Sequence, residues 1–293
     1  MPDIMIRQAV RGAYDLQKLR IQMGNRIAMS WLTKLGHEPG AKLTDLTDED
    51  KKILDQLRFE YKKLTDGFVE FPTKSQFQKR LASLDKSMIS SYAELSLVRT
   101  YLDMSRKEEE GFKILKCFVE ESPVWSEYLV NVKGCGAAMA AVLLSEIDIA
   151  RAGSPSMLYK YAGLDVAEDG RGRSRRKEHL VDVTYTDKDG AEQTRKSITF
   201  NPFLKTKLLG VLAPCFLKAG GHYGDKYREY KHRIETDPKH AEKTKGHRHN
   251  MAMRYCVKMF LLDLWLWWRA FEGYEPKGSY HYDVQGHRHS KIA

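Results

Sequence analysis

The sequence predicts a mainly α-helical fold, and three observations carry that expectation. Apolar residues recur at helical spacing through most of the chain, one heptad run extends over 77–102, and period-two alternation is confined to a stretch near 180–200. The expected organisation is a helical or coiled-coil region over 1–124 and a second domain over 125–272. That domain carries an inserted β-hairpin at about 180–200, and a flexible basic tail follows over 273–293.

The helical reading begins with DLQKLRIQMGNRIAMSWL, where Leu16, Leu19, Met23 and Ile27 share one face. LTDEDKKILDQLRFEYKKL opens with Thr47 and Asp50 at capping-box spacing and continues with Leu54, Leu57, Tyr61 and Leu64 on a stripe. After FPTK, the residues Phe77, Leu81, Leu84, Met88, Leu95, Val98 and Leu102 follow alternating four- and three-residue steps, with Ser91 as the polar member. This seam suits packing within one chain as well as association of copies, and a homo-oligomer formed through it is expected.

Further along, SPSMLYKYAGL reads as a short helix, with Ser154 as its cap, Pro155 at its first position and Gly163 at its end. EDGRGRSRRKEH is glycine-rich and densely basic, a poor candidate for packed structure. VDVTYTDKDGAEQTRKSITF then reads as a hairpin: Val181, Val183 and Tyr185 alternate, DKDG turns, and Ile198 and Phe200 alternate on the return. Helices resume through FLKTKLLGVLAPCFLKAGG, DKYREYKHRI and NMAMRYCVKMFLLDLWLWWRAF.

Composition narrows the partners. With 293 residues, 42% hydrophobic and 30% charged, the chain can bury a substantial core. Its formal charge of +10 favours an anionic partner, nucleic acid before an acidic membrane surface. Cys117, Cys135, Cys215 and Cys256 are scattered without a CxxC pair, so neither a disulfide framework nor a cysteine-built zinc site is expected. His247 and His249 stand two apart with no acidic or cysteine partner nearby, a poor zinc spacing. The first residues lack the apolar core of a signal peptide. MFLLDLWLWW falls short of the roughly 20 residues of a membrane span. A cytoplasmic, nucleoid-associated location is the expectation.

The most informative stretch is LVNVKGCGAAMAAVLLSEI at 129–147. Gly134 and Gly136 permit a tight turn into a helix whose first amides, with the positive end of its dipole, can face one phosphate. Lys133 can add a charge-assisted contact, and Ala140 allows close helix packing. With an apolar residue two before Gly134, Cys135 in the apolar slot between the glycines and Ala140 four residues on, the stretch resembles the helix–hairpin–helix motif of nucleic-acid-binding proteins, with Lys133 in place of a frequent proline. The alternative is a helix corner with no ligand.

The order of the surrounding segments extends this likeness. A glycine turn, SPSMLYKYAGLDV, a basic loop GRGRSRRK, SITFNPFLKTKLLGVL with its helix-entering asparagine, YGDKYREYKHRI and MRYCVKMFLLDLWLWW follow one another over 125–272. In that order they resemble the C-terminal domain of the insertion-sequence one-ten family of transposases, which includes the Piv-type DNA invertases. The expected fold class is therefore mainly α: a helical region, then a helix–hairpin–helix domain with an inserted β-hairpin.

The resemblance implies DNA, or structured RNA, as partner. It also implies a reactive serine in the loop after AGL, for which Ser174 is the candidate, although the family's Ser–Gly pair is absent here. The expected nucleic-acid contacts are Lys133 to Ala137, the loop residues Arg171, Arg173, Arg175, Arg176 and Lys177, then Lys205, Lys207, Arg228, Lys231, Arg233, Lys245 and Arg248. Arginine and lysine neutralise phosphates, and the interleaved tyrosines between Lys226 and Lys258 can stack on bases. Family members begin with a nuclease-like domain of the RuvC type whose strand-borne carboxylates hold divalent metal. Asp3 and the Asp48–Asp50 run do not resemble that arrangement, and Glu108, Glu109 and Glu110 read as a solvated helix face. No cofactor is expected, with divalent metal entering only through a partner that supplies a nuclease domain. Three functions stay open on these grounds: nucleic-acid binding, serine-dependent transposition or inversion, and an oligomeric scaffold without catalysis.

Overall fold

The computed structural model describes residues 4–40 and 46–274, so Asp3, the second GHRH sequence and the tail from 275 lie outside the described residues. Among the described residues the fold is mainly α with one small two-stranded antiparallel sheet, as the sequence predicts. The chain divides into two compact units, one of residues 9–114 and the other of 1–8 with 115–293. Among the described residues no helix is long and apolar enough to cross a membrane.

The N-terminal unit contains most of α1 (Ile4–Lys34), α2 (Ile53–Thr65), α3 (Lys74–Ala82) and the first part of α4 (Tyr92–Glu120). Its core gathers Ile27, Trp31, Leu57, Leu64, Phe77, Leu95 and Val98. The α2 stripe is realised, whereas the α1 face is shifted. The buried line runs through Val10, Ala13, Ile27 and Trp31, and Leu19 is exposed. Thr47 and Asp50 exchange the reciprocal cap bonds at 2.9 and 3.1 Å, ahead of a 3₁₀ turn that leads into α2.

The heptad seam is interrupted. α3 ends at Ala82 and α4 begins at Tyr92, and the chain between is tied down by Glu60, which accepts from the amides of Met88 (2.7 Å) and Ile89 (3.2 Å). The seam residues lie in or against this unit's own core. Leu95→Ala is therefore expected to lower the unit's stability by about 2–5 kcal/mol, read as a reduced urea midpoint. A change of oligomeric state with stability intact would instead mean that the seam joins copies. The acidic trio also divides. Glu108 is buried, accepting from Gln17 at 3.0 Å and pairing with Arg20, while Glu109 and Glu110 are exposed.

After the end of α4, the C-terminal unit continues with α5 (Pro123–Glu127) and a 3₁₀ turn (Leu129–Asn131), so the arm entering the glycine turn is shorter than the first helix that a helix–hairpin–helix implies. α6 (Ala137–Glu146) is apolar nearly all round and correspondingly buried. α7 (Pro155–Tyr161) has the expected punctuation: Ser154 accepts from the Met157 amide at 3.3 Å, and Gly163 ends the turn with φ +65°. β1 (Val181–Thr186) and β2 (Glu192–Ser197) pair in register Val183↔Arg195 and stand exposed. The return strand stops at Ser197, and Phe200 enters the core instead of continuing the alternation.

Asn201 caps α8 (Pro202–Lys207), accepting from the Phe203 and Leu204 amides at 3.1 Å, while its amide nitrogen reaches Glu146 at 2.6 Å. A π turn at Leu208–Leu212 leads into α9 (Ala213–Ala219), then α10 (His222–Thr236) and α11 (Lys245–Phe271). Trp265 is fully buried with its indole N–H on the Ala152 carbonyl at 2.6 Å. Trp267 stacks on Tyr128, centroids 5.1 Å apart.

Candidate nucleic-acid interface

The two glycines of the turn do different jobs. Gly134 has φ +92°, and a Cβ there would stand 3.0 Å from both the Cys215 carbonyl oxygen and the Phe216 ring, so it packs the turn onto α9. Gly136 is exposed with open space around it, and its carbonyl accepts from the Met139 and Ala140 amides at 2.9 and 3.0 Å. The amides before Met139, including that of Ala137, stand at a helix start, where no intrahelical acceptor exists. Cys135 fills the apolar slot: it is buried, and burial pushes its thiol up to about 12. Lys133 is exposed and lays its stem over Gly221, at the start of α10.

The basic loop after α7 is more ordered than its composition predicts. Val166 bridges Gly172, the Ala167 amide donates to the Arg171 carbonyl at 2.8 Å, and the Arg173 amide donates to the Asp165 carbonyl at 3.0 Å. This folds Arg173 back onto Asp165, with Nη2 and Nε 2.9 and 3.0 Å from Oδ2. The Lys205 ammonium donates to the Arg173 carbonyl. A Cβ on Gly172 would fall within the guanidinium of Arg254, so this glycine leaves the space that Arg254 occupies. Arg254 in turn donates to the Gly163 carbonyl at 3.4 Å.

Four cations thus gather around one carboxylate: Arg173, Lys205, Arg254 and Lys258 about Asp165. Only Arg173 is directly paired with it. The electrostatic cost is visible in the bases. Lys205 is pushed down to about 8, first by burial and then by the charge of Arg254. Lys258 is lowered by burial and by Arg254, and burial lowers Arg254 itself against the opposing pull of Asp165. Such a cluster is short of negative charge, the condition that a phosphate relieves.

Ser174 lies on the same loop, half-buried. Its Oγ is 2.9 Å from His179 Nδ1, and its amide donates to the same nitrogen at 3.0 Å. His179 is buried at 3% exposure, and its Nε2 is 3.1 Å from Asp169 Oδ2. Asp169 also accepts from the Arg171 amide at 2.9 Å, and these two bonds hold its carboxyl below the ordinary value.

Of the other expected contacts, Arg171, Arg175, Arg176 and Lys177 are exposed on this loop, and the Arg176 amide donates to Ser174 Oγ at 3.3 Å. Lys207 lies over Phe203, its ammonium 5.4 Å from the ring, and burial lowers its pKa. Arg228, Lys231 and Arg233 sit on α10. Arg228 pairs with Asp225, Lys231 lies 3.9 Å from Glu235, and Arg233 stands over the Tyr230 ring at 4.7 Å. Tyr230 stacks on Tyr255 of α11 with centroids 4.2 Å apart. Lys245 opens α11 and is exposed, with Arg248 half-buried one turn on. The first GHRH sequence makes no metal cluster: His249 Nδ1 is hydrogen-bonded to Tyr227 at 2.6 Å. Among the described residues no group of three or more His, Cys, Asp or Glu is placed to hold a metal ion.

The structure therefore joins Arg173, Ser174 and Lys205, and adds Asp165, Asp169, His179, Arg254 and Lys258, which the sequence reading did not single out as contacts. Arg254 and Lys258 were legible only as members of the basic Lys226–Lys258 segment. His179 and Asp169 carry no spacing signature.

Comparison with known proteins gives one match, to part of the C-terminal unit. No curated protein and no solved structure matches the chain. A family model does match residues 126–198, from the end of α5 through the glycine turn, α7 and the Ser174 loop to the hairpin. That stretch of the chain is similar to the transposases of the IS116/IS110/IS902 family.

Proposed function

We propose that this protein is transposase-related and binds DNA by its phosphate backbone, through the cationic floor beneath the Ser174 loop and the amides of the glycine turn. Metal-dependent cutting, where it accompanies this binding, comes from a partner. The observation that carries the reading is the excess of half-buried cations about Asp165, with Lys205 pushed down to about 8. Exposed lysines decorate many proteins, but partly burying several against one another is costly unless a polyanion completes the site.

Binding to duplex DNA is expected to weaken linearly in log–log plots against salt. Arg254→Ala and Lys205→Ala should each reduce the slope by about 1 across unrelated sequences. Binding that ignores salt, or unchanged slopes in both variants, would sink the proposal. Preference for structured RNA over DNA in the same titration would reassign the partner class.

A second reading, an active serine-dependent transposase or invertase using Ser174, is favoured by one observation. The Ser174 hydroxyl is hydrogen-bonded to an imidazole nitrogen at 2.9 Å, beside the cations that would bind a phosphate. A scaffold assembled through the 77–102 seam has no such support, because Phe77, Leu95 and Val98 would have to leave the core they form.

A further inference from the structure

We infer that His179 is the general base for Ser174 and that Asp169 positions it, so that the Asp169–His179–Ser174 chain makes this serine a nucleophile toward phosphorus. The inference rests on the second reading above and adds to it the groups that would activate the hydroxyl.

The hydrogen bonds assign the proton positions. Asp169 is a carboxylate and only accepts, so His179 Nε2, 3.1 Å away, carries the ring proton. Nδ1 then presents a lone pair, as its second contact requires, because the Ser174 amide can only donate to it. The hydroxyl at 2.9 Å must therefore donate as well, aiming its proton at the base. Burial is graded in the useful direction. The imidazole side chain is 2% exposed, while Asp169 is 39% exposed and Ser174 is half-buried. The base is shielded and the nucleophile can be reached.

The relay has the order of a Ser–His–Asp triad with the two ring nitrogens exchanged. In one respect it departs from acyl-transfer sites. The Ser174 amide is spent on Nδ1, so it is not available as an oxyanion donor. Charge developing on a phosphoryl group falls instead to cations, of which Lys205 is held on the neighbouring Arg173 carbonyl. That favours phosphate over carbonyl substrates.

The step balances simply. As Oγ attacks the phosphorus of a phosphodiester, its proton passes to Nδ1 and the Oγ–P bond forms. The bond from phosphorus to one ester oxygen breaks, and that oxygen takes a proton from water. Asp169 stabilises the imidazolium until it is deprotonated. The product is a strand joined to Ser174 and a free hydroxyl end.

A fluorophosphonate probe tests the relay on the full-length protein without DNA, since Oγ displaces fluoride by the same chemistry. Mass spectrometry should place a single adduct on Ser174, absent in Ser174→Ala. His179→Asn keeps a side-chain oxygen for the Ser174 amide but cannot take the proton, so labelling should slow by about a hundredfold or more. Asp169→Asn leaves an oxygen for the Arg171 amide but turns a donor toward Nε2, which forces the ring proton onto Nδ1. Labelling should slow by at least about tenfold, with Asp169→Glu recovering part of the rate. Asp169 is exposed, so this variant decides the matter even if His179→Asn does not fold. Labelling spread over several serines, or an unchanged rate in Asp169→Asn, would overturn the inference and leave a loop brace. Salt-dependent DNA binding measured on the same variants separates that failure from failure of the binding proposal.

Discussion

Gly134→Ala is expected to destabilise the C-terminal unit by about 2–5 kcal/mol, whereas Gly136→Val, two residues on, leaves stability within about 1 kcal/mol of the original. The difference follows from what each position does. At φ +92° an alanine sits in a left-handed conformation that costs roughly 1–2 kcal/mol. Its Cβ also meets backbone, the Cys215 carbonyl at 3.0 Å, which cannot swing aside as a flexible side chain would. Gly136 has φ −82° and ψ 170°, open to any residue, and no atom lies within 4 Å of a Cβ built there. Its cost is only that of a poor helix cap. The functional effects run the other way for a given stability change. A valine at Gly136 stands at the mouth of the α6 amides and should weaken DNA binding about tenfold, the worth of one charge-assisted backbone contact. Urea unfolding and DNA titration on both variants check the pair. Equal stability loss at both positions would mean that the turn is packed differently. Undiminished binding by folded Gly136→Val would remove the amides from the interface.

That pair also marks how far the sequence could be read. The spacing of Gly134 and Gly136 within an apolar frame pointed to the turn, and Ser154, Pro155 and Gly163 marked α7 correctly, because caps and left-handed glycines act over a few residues. The hairpin was legible for the same reason, from Val181 to the Asp187–Gly190 turn. What was not legible depends on distant partners. The seam keeps its heptad period across a break that is held by Glu60, more than twenty residues away. In α1, two apolar lines compete, and the core that chooses Val10, Ala13, Ile27 and Trp31 comes from other helices. Gly172 reads as loop glycine until Arg254 of α11 is seen lying against it. His179 sits in a basic run where nothing singles it out. Its contacts with Ser174 and Asp169 become visible only when the bridge between Val166 and Gly172 has folded the loop.

Lys205 gives the DNA-binding proposal its strongest quantitative test, because pH should move binding and stability in opposite directions. In the free protein its ammonium is pushed down to about 8 from an ordinary 10.5 by burial and by the charges of Arg254 and Arg175, with Asp165 pulling the other way. A phosphate placed on the cluster raises that pKa, so binding takes up a proton above pH 8. Affinity is therefore full below about pH 8 and falls by up to about tenfold per pH unit above it, until the pKa of the complex is reached. Folding has the opposite sign. The unfolded lysine holds its proton up to 10.5 while the folded one releases it near 8, so Lys205 adds stability as pH rises through that window. The buried thiols of Cys135 and Cys256, pushed up to about 12, oppose this above their ordinary 9.0, so the comparison belongs between pH 8 and 9. Lys205→Gln isolates the contribution: its DNA affinity should be lower at pH 7 and nearly flat to pH 9. Weaker wild-type binding at pH 9 with no loss of stability places the lost proton at the interface. A pH-independent affinity in the wild type would show that no phosphate reaches Lys205.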